Sequence, residues 1–469
     1  MGEKKSREQF KQLLDHFVTS IREQILNGEL EVGEYLPSEL ILAERFSLSK
    51  NSVRKGLDEL VNEGLIMKKS RVGNIVASSQ LIEKVVLRVG YYPSLEKEAS
   101  FLTLVEKFEK KHAHIKVQPI ALPYDHYHQT VRDFFKNDLV DVVTINYNDF
   151  REFKSGPKEL FEPFDWNDDV YPFLQEGFRQ DHLYVMPFIF SPIVLCYNQQ
   201  HFRERGLSFP DSSWTWDDLL RAANQLTAGS GHQHGFYFHP LSVNRWPIFL
   251  LQNQVYFSRD ADGEVQFDEK KLIESIHVCR NIFEEQGMMQ NFLSDSDTDA
   301  EQLFAEQNVS MILASYFSLN EMKEHLIQYD IAPLPYFSDA RTLLLAIGFA
   351  VNKTSLKRDI AKQFVEYMTS EEAQDTIRRE TLSLPSMKKV AEMSGGERVF
   401  HPSRYSLFRE IIPTYRWYTD LGVRFHELRE MKNELRLYWS GLTNEELFCK
   451  RLRAKLSPSQ KEWTQIGRG

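Results

Sequence analysis

Apolar residues recur at helical spacing from the start of the chain. Phe10, Leu13, Leu14, Phe17, Ile21 and Ile25 fall on one face, which predicts an amphipathic helix over 5–27. Gly28 and Gly33 flank a short connection, and Leu36-Pro37-Ser38 leads into a second helix over about 38–46 with Ile41, Leu42 and Phe46 apolar. Ser47-Leu48-Ser49 reads as a tight turn, with Ser49 a good N-cap for a third helix over 50–63. On that helix Val53, Leu57, Leu60 and Val61 share one face, and Asn51, Arg54, Lys55 and Asp58 the other. Gly64 stops it. Two short strands, 65–69 and 74–77, then flank Ser70-Arg71-Val72-Gly73 as a hairpin with a basic tip.

The pattern changes after a polar stretch at 77–80. Residues 85–91 read as a buried strand, 98–111 as a helix through Phe101, Leu104, Val105 and Phe108, and 115–120 as an alternating strand. A helix over 125–137 and a strand over 141–146 follow. Strands alternating with helices imply parallel α/β layering, in which ligands bind beyond the carboxyl ends of strands. Here those ends are Tyr91-Tyr92 and Asn146-Tyr147.

At 469 residues the chain exceeds one ordinary core and suggests two to four domains. The net charge of −10 belongs to the part after residue 80, because the first 80 residues are balanced. Within 45–71, Arg45, Lys50, Arg54, Lys55, Lys68, Lys69 and Arg71 outnumber Asp58, Glu59 and Glu63, so the acidic total hides a local basic segment. Cys196, Cys279 and Cys449 are scattered and odd in number, which fits neither a disulfide framework nor a CxxC metal site. The N-terminus has no apolar leader, and no stretch approaches the roughly 20 apolar residues of a membrane span. The expectation is a soluble, cytoplasmic protein with no membrane partner.

A helix that buries one side and presents Asn, Arg and Lys near its N-terminus suits a DNA major groove. The series Leu36-Pro37-Ser38-Glu39, Leu42-Ala43, Ser49-Lys50-Asn51-Ser52-Val53-Arg54, Leu57, Leu60, Glu63-Gly64-Leu65-Ile66 and Val72-Gly73 resembles the GntR family of bacterial winged helix-turn-helix regulators across the whole head. The resemblance implies that Ser38, Glu39, Ser49, Lys50, Asn51, Ser52, Arg54, Lys55, Arg71 and Gly73 face a double-stranded operator, with Arg54 reading bases. The family usually has Arg where Leu40 and Lys50 stand, and often Gly where Arg71 stands. A lysine keeps charge but loses the bidentate fork.

The body resembles the extracellular solute-binding proteins of ABC transporters, in particular their carbohydrate-binding cluster. The carrying motifs include Phe108-Glu109-Lys110-Lys111-His112, Asp141-Val142-Val143, Tyr184-Val185-Met186-Pro187-Phe188, Trp214-Thr215-Trp216-Asp217-Asp218-Leu219, Ile331-Ala332-Pro333-Leu334-Pro335 and Gly348-Phe349-Ala350-Val351-Asn352. The resemblance implies a multidomain chain, an α+β winged helix followed by a two-lobed α/β periplasmic-binding-protein-like fold of type II. Expected boundaries are 1–77 for the head, 78–84 for a linker, 85–450 for the body and 451–469 for a tail. One lobe would hold about 85–188 and 350–382, the other about 195–343 and 386–450, with crossings near 188–195, 343–350 and 382–386. Flat side chains bury the C–H faces of a sugar while amides satisfy its hydroxyls. Tyr91, Tyr92, Asn146, Tyr147, Phe190, Trp246 and Tyr316 are therefore candidate ligand residues, with Gly348 admitting backbone close to the ligand. Trp214 and Trp216 read as helix-start packing.

Other constellations are weaker. His232-Gln233-His234 with His239 lies in a Gly-rich turn and reads as a solvated loop, and Asp295 to Asp299 lacks the Gly and Glu of an EF-hand loop. There is no P-loop, GxSxG or HExxH motif, so neither an enzyme nor a cofactor is expected. The expected function is a one-component transcription regulator whose body senses a small ligand, a sugar or oligosaccharide, by cleft closure. The alternative is a body that docks a protein or peptide without a small ligand. A homodimer is left open.

Overall fold

The computed structural model describes residues 7–69, 72–78, 85–112, 114–153, 156–227, 234–285, 296–323 and 325–457. The chain divides into two compact units, Met1–Arg88 with Val105–Gln118, and Val89–Leu104 with Pro119–Gly469.

The head is built from α1 (Arg7–Leu26), α2 (Glu39–Arg45), α3 (Lys50–Asn62), β1 (Ile66–Lys69) and β2 (Gly73–Val76). The strands pair antiparallel, Ile66 opposite Val76 and Lys69 opposite Gly73, as the expected hairpin. Phe17, Ile21 and Ile25 of α1 meet Leu42 of α2 and Val53, Leu57 and Leu60 of α3 in one buried core. At Gly56 a Cβ would lie 2.7 Å from the Phe17 ring, so a residue without a side chain lets α1 and α3 approach. Ser38 Oγ accepts from Ile41 N (3.4 Å) and Ser49 Oγ from Ser52 N (3.2 Å), capping α2 and α3. Ile41, read above with the apolar face, is exposed. A helix of seven residues has few inward positions, and Leu42 and Ala43 occupy them.

The body begins with β3 (Val85–Tyr91), α4 (Leu95–Glu98), α5 (Phe101–Lys111), β4 (Ile115–Ala121), α6 (Tyr127–Lys136), β5 (Val142–Asn146) and α7 (Tyr147–Glu152). The helix expected over 98–111 is broken, because Ser100 takes a left-handed φ of 48° between α4 and α5. Next comes β6 (Met186–Asn198), 13 residues buried throughout. Its lack of polar alternation follows from cover on both faces.

The sheet order is Tyr329–Ala332, β6, Thr342–Val351, β5, β3, β4. β3 and β5 run parallel, as expected, but Thr342–Val351 runs antiparallel to both β5 and β6. The sheet is therefore mixed. The first half of β6 pairs with Thr342–Val351, and its second half with Met311–Ser315 and Tyr329–Ala332. Leu384 and Pro385 pair with Phe190 and Ile189. The segments 188–195, 343–350 and 382–386, expected as crossings, contain residues of three strands, of which β6 pairs with the other two at Ile189 and Phe190.

Gly348, expected to admit backbone to a ligand, faces its own sheet instead. A Cβ there would lie 2.4 Å from the Met186 carbonyl oxygen, where the register shifts between Ile347 and Gly348. At the C-terminal end the helices Phe425–Trp439 and Glu445–Leu456 pack together, and Phe448, Leu452 and Leu456 are buried. Residues 451–456, expected in a tail, therefore belong to the body, and 458–469 lie outside the described residues.

Candidate functional site

Two surfaces carry chemistry. On the head, Lys50, Asn51, Arg54 and Lys55 stand exposed along the N-terminal half of α3. Arg54 Nε donates to Glu39 Oε2 at 2.7 Å, so α2 holds the side chain that α3 presents. Lys68 of β1 pairs with Asp58 of α3. Ser38, Ser49 and Gly73 are exposed at the same segments. Ser52, expected on this face, is buried and its hydroxyl meets Ser49 Oγ at 2.6 Å. It closes the helix cap instead of meeting a groove. Arg71 lies outside the described residues. Arg22 Nε donates to Glu63 Oε2 at 2.8 Å, anchoring α1 to the far end of α3.

Lys55 has a free approach to phosphate from this face. Lys55→Ala is expected to weaken binding to all DNA sequences alike and to lower the slope of log affinity against log salt by about one unit. Gel-shift titrations at several salt concentrations check this, and an unchanged slope would take Lys55 off the phosphate.

On the body, a cavity of ≈ 220 Å³ opens beyond β3 and β5, at the strand ends the sequence singled out. Tyr92, Tyr124, Tyr147 and Phe317 supply aromatic wall, and Asn146, Asn148 and Asn244 supply amides. Leu345, Ala346 and Ile347 of the strand Thr342–Val351 add apolar lining, and Ser94 and Glu98 add polar lining. Tyr92 is packed between Tyr124 and Tyr127 (ring centroids 5.4 and 4.3 Å) and donates its hydroxyl to Asp149 Oδ2 at 2.6 Å. Asn146 caps α7: its Oδ1 accepts from Asp149 N (2.7 Å) and its Nδ2 donates to Asp149 Oδ2 (2.8 Å). Burial pushes Asp149 up to about 6 against these hydrogen bonds. The cavity's polar edge is thus preorganised by one buried carboxyl.

Tyr147 stacks on Trp417 with ring centroids 3.9 Å apart, and its hydroxyl lies 2.7 Å from Thr419 Oγ1. Glu98, Tyr124, Asn148, Asn244 and Phe317 are lining residues that the sequence reading missed, and so is Trp417, which backs Tyr147 without lining the cavity. The signal for Trp417 was the aromatic run Tyr415-Arg416-Trp417-Tyr418, more than 250 residues from Tyr147 in the chain. Asn244 Oδ1, beside the cavity, and Trp246 Nε1 are buried without a hydrogen-bond partner among the described residues. Each such group costs about 1–3 kcal/mol.

The remaining sequence candidates do not line this cavity. Tyr91 is buried on Phe101 (4.7 Å) with its hydroxyl on Glu96, and Phe190 packs edge-on to Tyr171, Phe173 and Phe408. Tyr316 is buried, donating to the Tyr405 carbonyl at 2.9 Å. Trp246 is 1% exposed at the start of the helix Pro247–Gln252. Trp216 donates to Gln252 Oε1 (2.8 Å) in the core, in keeping with helix-start packing. His232 and Gln233 fall outside the described residues, as does Asp295. Among the described residues no cluster of His, Cys, Asp and Glu could hold a metal ion.

Glu98 lies half-buried in the cavity wall, and desolvation pushes it up to about 7, with the Glu321 charge adding to the rise and the Ser94 hydroxyl opposing it. An acid whose folded pKa is raised binds its proton more tightly when folded. Its contribution therefore favours folding at acid pH and is lost as pH rises from about 4.5 to about 7. Glu98→Gln is expected to remove that loss, gaining up to about 3 kcal/mol over the parent at pH 8 and little at pH 4.5. Denaturant unfolding of both proteins at the two pH values measures the difference, and an equal gap at both would place the Glu98 carboxyl in water.

Comparison with known proteins finds relatives of both segments. Residues 92–375 match the family model described as bacterial extracellular solute-binding protein, and residues 14–76 match that of bacterial regulatory proteins, gntR family. The HTH-type transcriptional repressor NagR of Bacillus subtilis is 41% identical over 61 residues, 13% of this chain and 25% of that protein. The maltodextrin-binding protein MdxE of Bacillus subtilis is 21% identical over 204 residues, 40% of this chain and 46% of that protein. The chain thus spans half or less of the length of the curated relatives it matches. Among solved structures, an ABC substrate-binding protein from Listeria monocytogenes in complex with cycloalternan superposes with a TM-score of 0.65 at 18% identity, covering 80% of this chain and 98% of that one.

Proposed function

We propose that this chain, which belongs to the bacterial extracellular solute-binding protein family and carries a GntR-family domain at its N-terminal end, is a one-component transcription regulator that senses a small carbohydrate. The observation that carries the reading is the union of the two modules in one polypeptide. A DNA-binding head acts where the DNA is, so the body samples the cytoplasm. It binds its ligand and releases it unchanged.

The cleft supports a small ligand. Its ≈ 220 Å³ lies below the roughly 300–1,000 Å³ of pockets for drug-sized molecules, which suits one or two sugar rings. Aromatic rings beside amides match the apolar faces and hydroxyl rim of a sugar. The relatives MdxE and the cycloalternan-bound protein, named for saccharides, point the same way. The ligand changes operator affinity only by binding the two states of the regulator unequally.

The test is a gel-shift titration of the full chain on its operator with and without a panel of mono- and disaccharides. A sugar at about 100 times its dissociation constant should also add about 2.7 kcal/mol of stability. If no sugar moves either operator affinity or thermal stability, the body is a docking module and the sensing reading fails.

A further inference from the structure

The cleft wall carries one carboxylate, Glu98, and among the described residues none of its lining side chains is basic. Glu98 closes α4, where Ser94 Oγ donates to its Oε2 at 3.0 Å. Among the described residues no cation pairs with it. The adjacent Lys97 reaches instead to Glu321 at 2.9 Å, on the segment Ser318–Met322 that follows Phe317. A carboxylate offers about four lone-pair sites, and one hydroxyl fills one of them. The others belong to a group taken partly out of water with a second negative charge nearby, a combination that favours either a proton or a cation.

The surrounding wall fits a cation as well. Tyr124, exposed on the side away from Tyr92, and Phe317 offer aromatic rings, whose negative faces attract an ammonium group. A phosphorylated or acidic sugar would bring a like charge against Glu98 with no lining Arg or Lys to offset it.

We propose that the cleft selects an amine-bearing sugar, with Glu98 the residue that recognises the ammonium group. This rests on the sugar-sensing reading above and narrows it to a charge class. Glu98 takes the ammonium through a charge-assisted hydrogen bond, the ring of Tyr124, itself backed by Tyr92, covers the apolar face, and the amides of Asn148 and Asn244 meet hydroxyls.

Calorimetric titration of the full chain with two matched pairs tests this: glucosamine against glucose, and fully deacetylated chitobiose against cellobiose. The expected result is that the amine-bearing member of a pair binds on the order of 10- to 100-fold more tightly, the worth of a hydrogen bond to a charged group. Glu98→Gln should abolish the preference while Glu98→Asp retains part of it, and thermal unfolding of each variant confirms that it is folded. If the neutral members bind as tightly, or the preference survives in Glu98→Gln, the assignment of Glu98 is overturned and the sugar-sensing reading stands. If neither member of either pair binds, in a protein whose unfolding is cooperative, the proposal falls together with the reading beneath it.

Discussion

Gly348→Val is expected to destabilise the body by about 3 kcal/mol or more, at the upper end of overpacking effects. The added Cβ would sit 2.4 Å from the Met186 carbonyl oxygen and 2.6 Å from Val185 Cγ1. A flexible side chain could swing away from such a clash, but a carbonyl inside a paired strand cannot move alone. Its displacement would shift β6 against Thr342–Val351, the strand it pairs with. Because Ala346 and Ile347 line the cavity next to this position, ligand affinity should fall with stability. Denaturant unfolding followed by sugar titration at a concentration where the variant is folded separates the two effects. A wild-type midpoint would show that the register shift at Ile347 has slack to absorb a side chain.

Arg54→Ala is expected to weaken binding to the cognate operator by about 1–3 kcal/mol and to relax sequence preference at one position, as the loss of a base contact does. Arg54 is more than half exposed, and the carboxylate of Glu39 fixes its Nε, leaving the two terminal nitrogens of the guanidinium to meet a base edge. Glu39→Gln should give a milder loss in the same sense, because it keeps the hydrogen-bond acceptor and removes the charge. Gel-shift titration against the operator and a set of single-base variants distinguishes this from the uniform loss expected of Lys55→Ala. Unchanged affinity in Arg54→Ala would remove α3 from the groove.

Much of this molecule could be read from local pattern. The head follows from the period of Phe17, Ile21 and Ile25, from the caps Ser38 and Ser49, and from basic residues gathered opposite Val53, Leu57 and Leu60. These are short-range signals, since a helix face or an N-cap is set by residues within a few positions of one another. The same holds for β3 and β5 and for the placement of Tyr92, Asn146 and Tyr147 at their ends, where the cavity opens.

What failed was whatever depended on a neighbour distant in the chain. Tyr91, Phe190 and Tyr316 carry the same chemistry as Tyr92 and Tyr147, and nothing in their local sequence says that packing partners bury them away from the cavity. Trp417 backs the cavity residue Tyr147 through a stack across 270 positions, which no periodicity announces. Gly348 looked like an opening for a ligand until the carbonyl of Met186 came up against it. The sequence by itself determined the two modules, their order and the strand ends that carry the cleft, because hydrophobic period, caps and turn residues act locally. Only the tertiary structure decided which aromatic rings line the cavity and which lie in the core, because that choice is made by side chains brought together from remote segments by the pairing of β6 with Thr342–Val351.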